Sequence, residues 1–163
     1  MKRLIKIIPV ILVLALLASA LACTAGVKDE KITGKEEIWG RYTVLVPSGM
    51  EFSGGNILDP NDPKTFTIKD PDSSYNYISF SMYDLDACER SVRGTKEANG
   101  ADDVTLELDG AVWTGVAYKY GSSDAFQLYA EVDGEYVLVT SFGFPYDGAL
   151  VKAVLGSVSI AAE

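Results

Sequence analysis

Histidine is absent from this chain of 163 residues, and cysteine occurs only twice, as Cys23 and Cys88. Without imidazole the chain lacks the commonest general base, the usual zinc and copper ligand, and any Ser-His or Cys-His nucleophile pair. Two cysteines allow at most one disulfide, so the fold rests on packing rather than on a disulfide framework. Basic residues are also few, 14 Lys and Arg against 23 Asp and Glu. A net charge of −9 repels nucleic acid and anionic lipid. No Ser-x-x-Lys or Gly-x-Ser-x-Gly nucleophile motif occurs, nor an Asn-x-Ser/Thr acceptor, nor an internal repeat. One long apolar run is present, Ile7 to Ala18, which is shorter than the ~20 residues a spanning helix needs.

That run organises the N-terminus. Lys2, Arg3 and Lys6 precede it, and the small residues Ser19, Ala20 and Ala22 close it before Cys23. This is the charged, apolar, small-residue layout of a secretory signal. The ending Ala20-Leu21-Ala22-Cys23 resembles the lipobox of bacterial lipoproteins. The resemblance implies cleavage between Ala22 and Cys23, thioether lipidation of Cys23 and acylation of the new amine, a palmitate-type modification. Several acyl chains, each contributing ~0.8 kcal/mol per buried methylene, anchor a protein stably to a bilayer. Ordinary secretion, with Ala20-x-Ala22 as its small-x-small site, and an uncleaved anchor helix are the other readings. The three basic residues near the start belong to this segment, so the remainder carries 11 basic against 23 acidic residues, a net −12. If Cys23 is lipidated, Cys88 has no partner for an intramolecular disulfide.

The organisation expected is residues 1–22 as signal, 23–38 as a polar, lipid-anchored tether, and 39–163 as a single α+β domain. Arg41–Val46 predicts a strand with Tyr42, Val44 and Val46 on one face, stopped by Pro47-Ser48-Gly49. Glu51 to Lys64, rich in Gly, Pro, Asn and Asp, predicts a loop. Thr65–Lys69 and Tyr75–Tyr83 predict a hairpin, with Ile78, Phe80 and Met82 alternating inward. Asp84 is placed to cap a helix to about Asn99, with Gly100 as its stop and Leu85, Cys88 and Val92 as its apolar stripe. Asp109-Gly110 and Asp133-Gly134 are two-residue hairpin signals. They join Val104–Leu108 to Ala111–Tyr120 and Ala125–Val132 to Glu135–Phe144, a four-stranded antiparallel meander. A last helix is expected from Asp147 as cap, with Leu150, Val151, Val154 and Leu155 on one stripe, followed by a short extended tail over Ser157–Ile160.

The strand ending Val46-Pro47-Ser48-Gly49, the two Asp-Gly hairpins and Leu150–Ile160 resemble PsbP-like domains. That resemblance implies an antiparallel sheet of about six to seven strands flanked by two helices, an αβα sandwich, and members that mostly bind partners and share no catalytic set. A cystatin- or NTF2-like α+β arrangement is the alternative. The resemblance transfers no chemistry.

Candidate chemistry is sparse. Asp59, Asn61 and Asp62, and Asp70, Asp72 and Ser73, offer oxygens, but not at the alternating spacing with a distal glutamate that calcium loops use. No metal, cofactor or catalytic residue is assigned. Asp84, Asp86 and Glu89 read as a solvated helix start. Cys88 reads as a buried thiol, although Arg90 and Arg93 are near it. Tyr75, Tyr77, Tyr118, Tyr120, Tyr129 and Tyr136 lie on predicted strands. Facing solvent together they would form a partner-binding surface; paired across strands they would be structural. The function these features point to is a membrane-anchored, non-catalytic protein-binding or scaffold lipoprotein. It would sit on the extracytoplasmic side of a bacterial envelope, on a Gram-positive surface or in a Gram-negative periplasm. Its contacts would be the bilayer through acylated Cys23 and an envelope protein, with no nucleic acid. A small-molecule-binding lipoprotein is the alternative, and a histidine-free envelope hydrolase is a third reading.

Overall fold

The computed structural model describes residues 32–108 and 110–162. The signal, Ala22, Cys23 and the start of the tether lie outside the described residues, as does Asp109 of the first Asp-Gly turn.

Strict alternation in β4 (Thr65–Lys69) and β5 (Tyr77–Tyr83) puts Phe66, Ile68, Ile78 and Phe80 on one side, all wholly buried. The meander repeats the rule in β6 (Asp102–Leu108), β7 (Ala111–Tyr120), β8 (Ser123–Val132) and β9 (Glu135–Phe142). Cross-strand partners fall in register along one row, Phe66–Phe80–Val139–Leu128–Gly115–Val104. With β3 (Glu51–Gly54) these strands form a seven-stranded antiparallel sheet in the order β3-β4-β5-β9-β8-β7-β6. Gly115 is required in that row, because a Cβ there would lie 2.1 Å from the Gln127 carbonyl oxygen.

A second sheet, in the order β1-β2-β10, contains β1 (Gly34–Trp39), β2 (Tyr42–Pro47) and β10 (Ser159–Ile160). Tyr42, Val44 and Val46 are buried from it into the same core as the large sheet. Tyr42 meets Phe66 edge-on at 4.9 Å, and Phe66 stacks on Phe80 at 4.5 Å; such pairs add about 1 kcal/mol each beyond area burial. Helix α2 (Ala149–Leu155) contributes Val151, Val154 and Leu155 to that core.

Helix α1 (Leu85–Asn99) lies across the opposite face of the large sheet. Asp84 caps it as expected, its Oδ1 accepting from the Ala87 N–H at 2.7 Å, and Gly100 ends it in the left-handed conformation with φ 60°. Of the expected stripe only Cys88 is fully buried; Leu85 and Val92 are half-buried. The helix also docks through hydroxyls. Ser91 and Thr95 donate to Gln127 Oε1 at 3.3 and 2.9 Å, and Gln127 Nε2 donates to Thr140 Oγ1 at 3.1 Å.

Among the described residues the α+β reading stands, with a seven-stranded antiparallel sheet, two helices and the meander in the expected order. Three local expectations do not. Gly34–Ile38, read as tether, belongs to β1, whose polar, largely exposed residues gave no apolar alternation and which is held by pairing with β2. Glu51–Gly54, read as loop, is β3, a short edge strand recruited by β4. The N-cap of α2 is Gly148 rather than Asp147, with no side-chain cap bond, and burial of its apolar stripe stabilises the helix in place of a cap.

Candidate functional site

The face of the large sheet that carries α1 is only partly covered. At its β4–β5 side the outward residues are Thr65, Thr67, Ser79 and Ser81. Thr67 pairs directly with Ser79 and Thr65 with Ser81, and Thr67 Oγ1 donates to Ser79 Oγ at 3.1 Å. These hydroxyls floor a groove of about 500 Å³ walled by Tyr83 and by the loop Gly55–Leu58. Hydroxyls both donate and accept, so the floor suits an uncharged polar chain.

The loop is the unusual part. Ile57 is 100% exposed and Leu58 95%, yet the segment is tied at nearly every residue. Gly55 N–H donates to Thr65 O at 2.8 Å. Asn56 Oδ1 accepts from the N–H groups of Leu58 and Asp59 at 2.9 and 3.0 Å. Asp62 is the hub: Oδ1 accepts from Lys64 N–H at 3.0 Å, and Oδ2 accepts from Asn56 Nδ2 and Thr65 Oγ1 at 2.9 and 2.8 Å. From below, Trp39 Nε1 donates to Asp62 O at 2.8 Å and Tyr42 Oη to Lys64 O at 3.2 Å. Gly55 has φ 72°, and a Cβ there would sit 2.3 Å from Pro60; only glycine closes this turn. The Lys64 amide, and then the Thr65 hydroxyl, hold the Asp62 carboxyl below the usual carboxylate range.

These bonds also account for the oxygen-rich stretches. Asp59 Oδ1 accepts from Asn61 N–H at 3.0 Å, and Asp70 Oδ1 from Asp72 N–H at 2.9 Å. Each carboxylate serves its own turn, the usual use of Asp in such segments. Among the described residues no group of three His, Cys, Asp or Glu is placed to hold a metal ion.

The six tyrosines do not form one surface. Tyr77, Phe142, Ala125 and Tyr118 share a cross-strand row at one end of the α1 face. Tyr120 meets Phe142 at 5.5 Å and is 64% exposed. Tyr75, 72% exposed, lies in the β4–β5 turn rather than on a strand. Tyr129 and Tyr136 sit toward the other end, Tyr136 opposite Tyr83 and donating to Glu131 Oε2 at 3.3 Å. Helix α1 runs between the two groups. Burial, and then the neighbouring Tyr77, push the Tyr118 hydroxyl up. Burial pushes the Cys88 thiol up as well, with Asp84 adding to it, which disfavours the reactive thiolate.

No protein-family model matches this chain, and no curated protein does. A crystal structure from Bacteroides thetaiotaomicron VPI-5482, determined at 1.50 Å, is similar over 80% of this chain and 49% of its own, at 16% identity and a TM-score of 0.42. The chain thus spans about half of that structure's length, and the likeness carries no inference about function.

Sequence reasoning passed over Ile57 and Leu58. The signal that could have found them is two adjacent aliphatics in a segment otherwise built of Gly, Asn, Asp and Pro. The floor was legible too, since Thr65, Thr67, Ser79 and Ser81 carry the same period of two as the core residues between them.

Proposed function

We propose that the protein is a membrane-anchored lipoprotein of the bacterial envelope that acts as a non-catalytic protein-binding module. Its contact surface is the Ile57–Leu58 loop with the hydroxyl groove beside it. The observation that carries this reading is two fully exposed aliphatic side chains on a loop locked by hydrogen bonds. A mobile loop would lose conformational entropy on docking, whereas this one is already ordered. Paired aliphatics at the rim of a polar groove have the make-up of an interface anchor. Asp59 and Asp62 flank them, and the remainder after the signal carries −12. That charge repels an anionic bilayer and favours a protein surface with an apolar pocket and a basic rim.

The test is a photo-crosslinking residue placed at Ile57 in cells and compared with the same residue at Val112, which is also exposed. The expected result is a discrete adduct from position 57 alone, lost when Leu58→Ser is added. Because both aliphatics are in solvent, Leu58→Ser should leave stability within about 0.5 kcal/mol of the parent. Equal labelling from both positions, or none from 57, defeats the reading.

A further inference from the structure

The second site is at the end of the meander that carries the Asp133-Gly134 turn. The β7–β8 ladder runs from Tyr120–Ser123 to Thr114–Tyr129, but the strands themselves continue to Ala111 and Val132. Between these extensions lies a cleft with two adjoining parts that share Gly110, Ala111 and Asp133. The outer part, about 620 Å³, has Val112, Glu131 and Asp133 at its walls. The inner part, about 140 Å³, reaches between Trp113, Val132, Leu155 and Val158.

Trp113 is wholly buried, and its indole N–H has no hydrogen-bond partner among the described residues. Trp39 differs, since its indole N–H donates to Asp62 O at 2.8 Å. A buried donor left unpaired costs about 1–3 kcal/mol, and such a group calls for a ligand or a role. Among the described lining residues of both parts there is no Lys or Arg, while Glu131 and Asp133 are both acidic. One Asp133 oxygen accepts from Ile160 N–H at 2.8 Å, which fixes that carboxylate at the mouth.

We propose that this cleft binds a small amine bearing a neutral oxygen acceptor. The ammonium group sits at the Glu131–Asp133 mouth, an apolar stem lies against Val132 and Leu155, and an amide or ether oxygen accepts from Trp113 Nε1. A carboxylate in place of the neutral oxygen is disfavoured, because one N–H cannot offset the desolvation of a charge in that apolar interior and the mouth repels it. The site is independent of the Ile57–Leu58 surface.

The two tryptophans supply the assay. In the full chain, labelled with ¹⁵N-tryptophan in detergent micelles, there are two indole N–H signals, and Trp39→Phe assigns them. The probes are glycinamide, β-alaninamide and longer ω-amino amides. The expected result is a saturable downfield shift of the Trp113 signal at one favoured chain length, with Trp39 unmoved. Affinity should fall about fivefold in Glu131→Gln, an exposed position whose substitution leaves the core untouched. Simple alkyl amides without the ammonium group should bind more weakly than the matched amino amide. A Trp113 signal that ignores every amino amide and instead cross-relaxes with solvent would mean a hydrated cavity and would sink the proposal. Equal response to charged and uncharged amides would sink the ammonium assignment.

Discussion

Asp62 shows how much one half-buried residue can organise. Its oxygens and its carbonyl take hydrogen bonds from Asn56, Lys64, Thr65 and Trp39, and these hold Ile57 and Leu58 out in water. Its carboxyl is held below the usual range by the Lys64 amide first. A carboxyl whose folded pKa is depressed adds stability above its unfolded value, roughly 4, and loses it as pH falls through the folded value. Protection factors in residues 55–65, which correct for the intrinsic slowing of amide exchange in acid, should therefore fall selectively as the solution is taken from neutral into strong acid, while the β8–β9 amides stay protected. Loop protection that is flat across that range would show that Asp62 does not hold the loop. The sequence marked Asp62 as turn chemistry; its role as hub depends on Trp39, 23 positions away, and is invisible to local pattern.

Among the elements, α1 is the one whose attachment departs from pattern. Its boundaries were legible because Asp84 and Gly100 act on their own neighbours. Its docking was legible only in part, because the expected apolar stripe buries Cys88 fully and Leu85 and Val92 by half, and is joined by Ser91 and Thr95 meeting a buried Gln127. Replacing Gln127 with Met keeps volume but removes both halves of the amide. It should cost about 1–2 kcal/mol and speed amide exchange across α1 more than across the sheet. Equal acceleration in both would mean that the network serves global stability rather than helix placement. The same polar seam explains why the tyrosines split, since the helix occupies the middle of the face on which they were expected to gather. Edge strands β1 and β3 were missed for a related reason. Their residues are exposed or half-buried, with only Ile38, Trp39 and Phe52 among them large and apolar, and pairing partners hold them extended.

For the molecule as a whole, the organising expectation remains the lipid anchor at Cys23. Among the described residues no helix is long and apolar enough to cross a membrane; the proposed function takes an acyl chain on Cys23 as its attachment. Expressed in a bacterium, the parent chain should partition with membranes and carry an acyl-sized mass gain, and Cys23→Ala should lose both. A parent that is soluble and unmodified would remove the envelope from the reading, leaving the Ile57–Leu58 surface and the Trp113 cleft as properties of a secreted domain.

By itself the sequence determined what acts over a few residues: the absence of histidine chemistry, the acidic charge, the alternation of Ile78 and Phe80 or Phe126 and Leu128, the Asp133-Gly134 turn, and the Asp84 and Gly100 ends of α1. Tertiary structure alone decided what depends on distant partners. It set β5 beside β9, divided the tyrosines, left Ile57 and Leu58 in water, and buried the Trp113 N–H without an acceptor among the described residues. The physical reason is range. Turn, cap and period energies are set by neighbours in the chain, whereas exposure and hydrogen-bond satisfaction are set by whichever strand or helix the fold brings alongside.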